Sequence, residues 1–332
     1  MKRLGIRLLN LAVLAVAILT VIPLLWPLVP RATIFAPMAP HVAVLAGVLT
    51  VVALIARRRK LAVLSLAVVL WNAQLVWPDV SPFGAAHPAG AGKPVLKVVS
   101  FNIRFSNLNF DAMADYLLAS DADVIGLVEA SPWSKKGLAR LNAAYPYRVD
   151  CIAQGSECQD MLLSKYPLKN PYAGPIGGRY PTIAMADLEL PDGTTLTVAA
   201  AHVMTPFTRR RAPLGAVDPG PPPRFPDAPD LEQSDQAANL AAFLRPQKPD
   251  FLLVGDFNST PWSPLQRAFR AASGLDNRGH YRPSWPTWLW PVFRLPIDTV
   301  FTRGRPAVLE MRTGPDIGSD HLPVEAEIVI RP

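Results

Sequence analysis

Hydrophobic and polar positions divide the chain into two unlike parts. From Leu8 to Leu28 nearly every residue is apolar, a run long enough for the ~20-residue helix that crosses a bilayer. A second run covers about 40–56 and a third about 61–77; both are short for a full span, so they recruit flanking residues or tilt little. None shows the polar face at helical spacing that a water-soluble bundle needs. The pattern therefore predicts an all-α membrane anchor over 1–78 with three transmembrane helices. Trp26, Trp71 and Trp77 fall near run ends, where aromatic rings favour the membrane interface. Residues 79–94, rich in Pro, Gly and Ala, read as a linker or as an extended arm packed on the domain after it.

From Val95 the apolar runs shorten and alternate with amphipathic stretches. Strands are expected over 95–101, ending at Asn102, and over 124–128, ending on Glu129, with a helix over 111–120 between them. Residues 147–153 and 159–164 read as strands around Gln154-Gly155-Ser156, and 183–190 with 196–201 as a hairpin around Pro191-Asp192-Gly193. An amphipathic helix over 231–244 leads to the buried strand Phe251-Leu252-Leu253-Val254, a second helix covers 264–272, and strands close the chain near Thr299 and over 324–330. Hairpins mixed with crossover helices imply layered α/β sheets flanked by helices. The stretch 206–229 has no apolar periodicity and much Pro; its Arg209-Arg210-Arg211 is either a solvated face or an anion clamp.

Charge changes the picture for the first part only. The formal net charge is +7, yet nine of the 33 Lys and Arg precede Val95 against one of the 26 Asp and Glu, Asp79. The globular part is thus close to neutral, which removes the argument from charge for nucleic-acid binding. Lys2, Arg3 and Arg7 precede the first apolar run, and Arg57-Arg58-Arg59-Lys60 separate the second from the third. The positive-inside rule then places the N-terminus and this loop in the cytoplasm and everything after Trp77 outside, periplasmic or extracellular at an inner membrane. Cys151 and Cys158 flank a hairpin in an extracytoplasmic domain, so they are expected to be disulfide-bonded.

Candidate chemistry gathers at strand ends: Asn102, Glu129, His202, Asp256 with Asn258, Asp298, and Asp320-His321. Gly255-Asp256-Phe257-Asn258 by itself reads equally as an Asx turn closing a strand. Repetition points instead to side chains converging at one edge of a sandwich, where active sites commonly sit.

Ser100-Phe101-Asn102-Ile103-Arg104, Val128-Glu129, Ala201-His202, Gly255-Asp256-Phe257-Asn258, Ile297-Asp298 and Gly318-Ser319-Asp320-His321-Leu322-Pro323 resemble, in order, the motifs of the endonuclease/exonuclease/phosphatase superfamily. The resemblance covers about 95–330 and implies an α/β (α+β) fold over 95–332, a four-layer sandwich of two packed mixed β-sheets flanked by helices. It implies a hydrolase of phosphate esters using Mg²⁺, with Mn²⁺ as an alternative. Glu129 resembles the main metal ligand, supported by Asn102 and Asp320. Asp256 resembles the residue that activates the attacking water, and Asn258 the one that positions it or a phosphate oxygen. His321 would donate to the phosphate with Asp298 fixing its tautomer. His202 resembles a second phosphate donor, and Arg179 a basic residue near the phosphate.

Abasic-site enzymes of this superfamily generally carry an acidic residue where this chain has Arg104, and Tyr where it has His202. The reading is a membrane-anchored phosphodiesterase or phosphatase acting on a lipid head group or small phosphate ester. The alternatives are an outward-facing DNA or RNA endonuclease, and an inactive binding protein on the same fold. The bilayer and the phosphate ester are the partners implied, and no protein partner is indicated.

Overall fold

The structure, a computed structural model, describes residues 2–26, 28–80, 95–152, 158–176, 182–206, 232–277, 279 and 281–332. Arg179, Arg209-Arg210-Arg211, most of the 79–94 segment and the Gln154-Gly155-Ser156 turn lie outside the described residues.

Three helices open the chain: α1 (Lys2–Val21), α2 (Ala39–Ile55) and α3 (Arg59–Val80). Each belongs to a stretch long and apolar enough to cross a membrane: Arg3–Leu25, Ala32–Ile55 and Arg59–Val80. The second gains its length from a 3₁₀ segment, Pro30–Met38, that precedes α2. Val13, Ala46 and Ala53 meet where the helices touch, and small side chains there let the backbones approach. Polar groups also face inward: Asn72 Nδ2 donates to Thr20 Oγ1 at 2.9 Å, and Thr50 Oγ1 to Ser65 Oγ at 2.9 Å. Leu11, Val44, Val63 and Leu70 point outward. Polar inside and apolar outside is the arrangement suited to a hydrocarbon solvent rather than to water.

After Val95 the period-2 alternation of each strand decides which layer it serves. In β1 (Val95–Asn102), Leu96 and Val98 join the core between the sheets, while Val99 and Phe101 face the other way, under helix α4 (Phe110–Ala119). The strand β2 (Val124–Val128) divides likewise. Short α5 (Pro132–Gly137), strands β3 (Tyr147–Asp150), β4 (Met161–Ser164), β5 (Leu168–Pro175), β6 (Thr182–Glu189) and β7 (Thr195–Ala201), helix α6 (Glu232–Leu244), strand β8 (Phe251–Asp256), helix α7 (Pro264–Ser273) and strands β9 (Asp298–Arg303), β10 (Pro306–Thr313) and β11 (Val324–Ile330) complete the order. One sheet runs β10-β11-β1-β2-β4-β3, the other β5-β6-β7-β8-β9. Helices α6 and α7 cover the outer face of the second through Leu240, Leu244 and Phe269. The result is helix, sheet, sheet, helix: four layers, with two mixed sheets.

Each sheet holds one parallel pair at its centre, β1 with β2 and β7 with β8. A helix carries the chain back across each pair, α4 and α6 respectively, so all four strands end at one edge of the sandwich. That edge receives Asn102, Glu129, His202 and Asp256.

Two glycines permit the close approaches this requires. A Cβ on Gly126 of β2 would sit 2.3 Å from Val254 Cγ2 in the opposing sheet. Gly255 has φ +145°, and a Cβ there would lie 1.9 Å from the carbonyl oxygen of Ala201. Gly255→Ala is expected to cost about 3 kcal/mol or more through this backbone collision. Thermal melting should show it as a drop of roughly 10 °C; an unchanged midpoint would refute the assigned constraint.

Two differences from the sequence reading concern β5 and β10, which are added edge strands. A third is that Asp298 opens β9 rather than closing a strand. Because β9 runs antiparallel to β8, Asp298 still pairs directly with Asp256 at the same edge. Cys151 and Cys158 are joined, their Cα atoms 5.5 Å apart.

Candidate active site

Three non-glycine residues at the convergent edge adopt left-handed backbone angles: Arg104 (φ +58°), Glu129 (+56°) and Asn258 (+47°). Such strain is unfavourable in itself and persists where the surroundings fix a side chain's aim.

Asn102 is the hub. Its Nδ2 donates to Glu129 Oε1 at 2.9 Å and to Asp256 Oδ2 at 3.0 Å, while its Oδ1 accepts from the Arg104 N–H at 2.9 Å. It therefore braces two carboxylates with its NH₂ and spends its oxygen on the backbone. Glu129 Oε2 also accepts from the Phe105 N–H. Burial pushes Glu129 up, but His202, Asn102, the Phe105 N–H and His321 together outweigh it and hold the carboxylate below the ordinary Glu range.

Asp256 is almost fully buried. Its Oδ1 accepts from the Asn258 N–H at 2.7 Å, and its Oδ2 lies 3.7 Å from both His202 Nε2 and His321 Nε2. Burial pushes this carboxyl up to about 6; His321 opposes that, the Asp298 carboxylate adds to it, and His202 and the Asn258 N–H oppose it. Asn258 Nδ2 reaches the Val203 carbonyl at 3.0 Å and His202 Nε2 at 3.1 Å, so Asn258 and His202 share one corner.

On the other side of Asp256, His321 Nδ1 bonds Asp298 Oδ2 at 2.8 Å, leaving Nε2 pointed at the site. Burial works against the imidazolium, but Asp298 and Asp256, with a smaller push from Asp320, raise His321 to about 10. The two carboxylates thus favour the protonated ring, with Nε2 turned towards Asp256.

Two groups of three place one donor atom per residue within 4.8 Å of one another: Glu129, His202, Asp256, and Asp256, Asp298, His321. In the second group the nitrogen nearest Asp298 is already used in the ion pair. In the first, an ionised, partly exposed Glu129 faces Asp256 across the site. Two carboxylates with an amide beside them form an oxygen-rich donor set that fits a hard divalent cation. Asp320 belongs to neither group among the described residues; its carboxylate lies 3.8 Å from Arg104 Nε at the rim.

The sequence reading missed Ser284, Phe105 and Ser319. Ser284 Oγ donates to Asp298 Oδ2 at 2.5 Å and helps aim it. Ser319 Oγ donates to the Asn102 carbonyl at 2.7 Å and accepts from the His321 N–H at 3.1 Å, tying the last loop to β1. Ser319 sits inside the Gly318–His321 motif and was findable there; Ser284 and the Phe105 N–H carry no sequence signal.

A profile of the Endonuclease/Exonuclease/phosphatase family matches residues 99–321, two-thirds of the chain and all of the site. The chain belongs to this family. The match leaves the three apolar helices outside it. Solved structures agree on the fold. An endonuclease/exonuclease/phosphatase from Beutenbergia cavernae is 18% identical with a TM-score of 0.52, over 71% of this chain and 72% of that one. A family protein from Bacteroides thetaiotaomicron is 14% identical with a TM-score of 0.55, over 72% and 99%. The catalytic domain of human Nocturnin is 15% identical with a TM-score of 0.51, over 72% and 95%. No curated protein matches the chain in sequence. Members of this family typically hydrolyse phosphate esters with a divalent metal, and the acidic and histidine cluster is what such chemistry uses.

Proposed function

We propose that the chain is a membrane-anchored, outward-facing, Mg²⁺-dependent phosphoesterase that cleaves a P–O bond by in-line attack of water, on a lipid head group or small phosphate ester. The observation that carries the reading is the convergence of Asn102, Glu129, His202, Asp256, Asn258 and the His321–Asp298 pair at one sandwich edge.

Asp256, ionised, takes a proton from the attacking water as its oxygen bonds to phosphorus. Asn258 and His202 position that water or a phosphate oxygen, and Arg179 adds charge for the phosphate. His321 donates from Nε2 to a phosphate oxygen, so charge developing there meets a fixed cation rather than mobile solvent. The bond from phosphorus to the leaving oxygen breaks, and that oxygen collects a proton from solvent. Glu129 would hold the Mg²⁺, with Asn102 fixing its carboxylate and Asp320 reaching the ion's waters from the rim. Mg²⁺, when bound, neutralises phosphate and leaving-group charge.

The decisive experiment is a panel on the full chain in detergent with Mg²⁺ and with chelator, comparing phospholipids, inositol phosphates, small diesters and DNA. Turnover of lipid or small esters that chelator abolishes is expected. DNA cleavage alone would make the protein a nuclease, and inertness towards all four would make it a binding protein.

Orientation is supported by the charge pattern. Arg57-Arg58-Arg59-Lys60 sits at the α2–α3 turn, whereas the catalytic domain touches Ala36, His41 and Asp79 at the far end of the same helices. A C-terminal alkaline phosphatase fusion in a bacterial host should be active and a C-terminal green fluorescent protein dark. The reverse would invert the topology.

A further inference from the structure

The catalytic domain is seated on the helices by specific bonds. Asp79, the sole acidic residue before Val95, is buried at the end of α3, and its Oδ1 accepts from Arg270 Nη1 at 2.8 Å. Trp262 Nε1 donates to the Ala36 carbonyl at 3.0 Å, and Arg267 Nη2 to the Leu75 carbonyl at 3.2 Å. A buried ion pair breaks only at large cost, so these contacts fix the height and tilt of the site relative to the helix ends.

Beside this seat, the loop Trp285–Phe293 exposes a large apolar surface: Trp288 is 74% exposed, Trp290 78%, Val292 66% and Phe293 54%. The exposure is built in. A Trp285–Leu295 bridge closes the loop, and Arg294 donates inward to the carbonyls of Thr287 and Leu289 at 2.7 and 2.9 Å. Its other face belongs to the active site: Ser284, one residue before it, bonds Asp298, and the Thr287 N–H donates to the Asp320 carbonyl at 3.0 Å.

The level of the loop is set by His41, in the first turn of α2. His41 Nε2 lies 2.9 Å from the Val292 carbonyl, and its ring stacks on Phe293 at 6.0 Å and 18°. Because α2 and α3 form a hairpin, His41 stands at the same end as Trp77, itself exposed near the end of α3. Tryptophans at the ends of spanning helices mark the headgroup region of a bilayer. A rigid ridge of tryptophan, valine and phenylalanine at that height has one solvent that suits it.

We propose that Trp288, Trp290, Val292 and Phe293 lie in the outer headgroup region of the bilayer that holds this chain's own helices, and that the active-site mouth thereby takes its phosphoester from a membrane lipid. The lipid assignment rests on the phosphoesterase reading above; the bilayer contact does not. The ridge is a docking surface, and the seat through Asp79 and Arg270 keeps the site within reach of head groups.

The test uses the full chain in vesicles of phosphatidylethanolamine and phosphatidylglycerol. A bimane label on Trp288→Cys should be quenched by lipids brominated along the acyl chain, and one on Asp192→Cys, at the opposite edge of the sandwich, should not. No quenching at 288 overturns the proposal, whether the label is in water or covered by a second copy detected as a dimer. In parallel, Trp288→Asp/Trp290→Asp should lower hydrolysis of vesicle lipid about tenfold more than hydrolysis of soluble bis(p-nitrophenyl) phosphate, given the interfacial burial of two indoles. Equal effects on both probes overturn the lipid assignment. If neither probe is hydrolysed by the unaltered protein, the lipid assignment fails, the substrate panel above decides the phosphoesterase reading separately, and quenching alone still decides the bilayer contact.

Discussion

Asp256→Asn should lower turnover about 10²–10⁴-fold, the range for removing a positioned general base. The substitution keeps shape and volume, and the new side-chain oxygen can still accept from the Asn258 N–H, although its NH₂ no longer accepts from Asn102 Nδ2. What disappears is a carboxylate that can accept a proton from water, its Oδ2 3.7 Å from both His202 Nε2 and His321 Nε2. The fold should survive. Asp256 is buried opposite Asp298, so its charge is a cost to the native state that burial and like-charge repulsion both express. A residue whose role was structural would lower the melting point when altered; here it should move by a few degrees at most, while activity collapses. Near-unaltered turnover would remove Asp256 from the reaction. So would loss of activity accompanied by unfolding, because the carboxylate would then be a support.

How the sequence showed this site, and where it stopped, follows from strand direction and burial. Asn102, Glu129 and Asp256 were legible because each ends an apolar run buried on both faces, where a polar residue has no packing reason to be. Central strands of parallel pairs carry that signal strongly, and their common direction brings the ends together. Asp298 and Asp320-His321 reach the same edge by the opposite route, at or before the start of antiparallel strands. A sequence gives the run but not its direction in the sheet, so Asp298 reads as an end. The edge strands β5 and β10 escape for a related reason. Lys169, Asn170, Pro171 and Tyr172 of β5 are exposed, and alternation fails where only part of one face is covered. Ser284 precedes an irregular loop whose shape depends on contacts with residues 287–295 and 319–322, so nothing local announces its bond to Asp298. The apolar helices are plain in the sequence, but Asp79 looks like a stray charge near a helix end. Only its partner Arg270, 191 residues later, gives it a purpose.

His321→Ala should also lose at least about a hundredfold in rate, as expected when a preorganised donor to a developing anion is removed. Deleting one partner of a buried pair is destabilising by about 3–5 kcal/mol, so this variant alone leaves a structural explanation open. Asp298→Asn separates the two. The amide keeps the shape and can still meet Ser284 and the His321 ring, but it withdraws the negative charge that does most to raise His321 to about 10. The folded pKa of His321 then falls, because burial still disfavours the imidazolium and its nearest counter-charge is gone. Unaltered protein should gain rate as Asp256 ionises through about 6 and then hold it as pH rises further, because His321 stays protonated until about 10. The Asp298→Asn variant should lose rate progressively over that range as its imidazolium deprotonates. Stability carries the same sign. A group whose folded pKa is raised stabilises the native state fully below its unfolded pKa, about 6.5, and loses that contribution as pH climbs through the folded value. Unaltered protein should therefore lose stability between about 6.5 and about 10 from this pair. The variant should be flatter over that window. A pH–rate profile of the variant that simply scales the unaltered one would show that Asp298 orients the ring without setting its charge, and the mechanism would have to place the proton elsewhere.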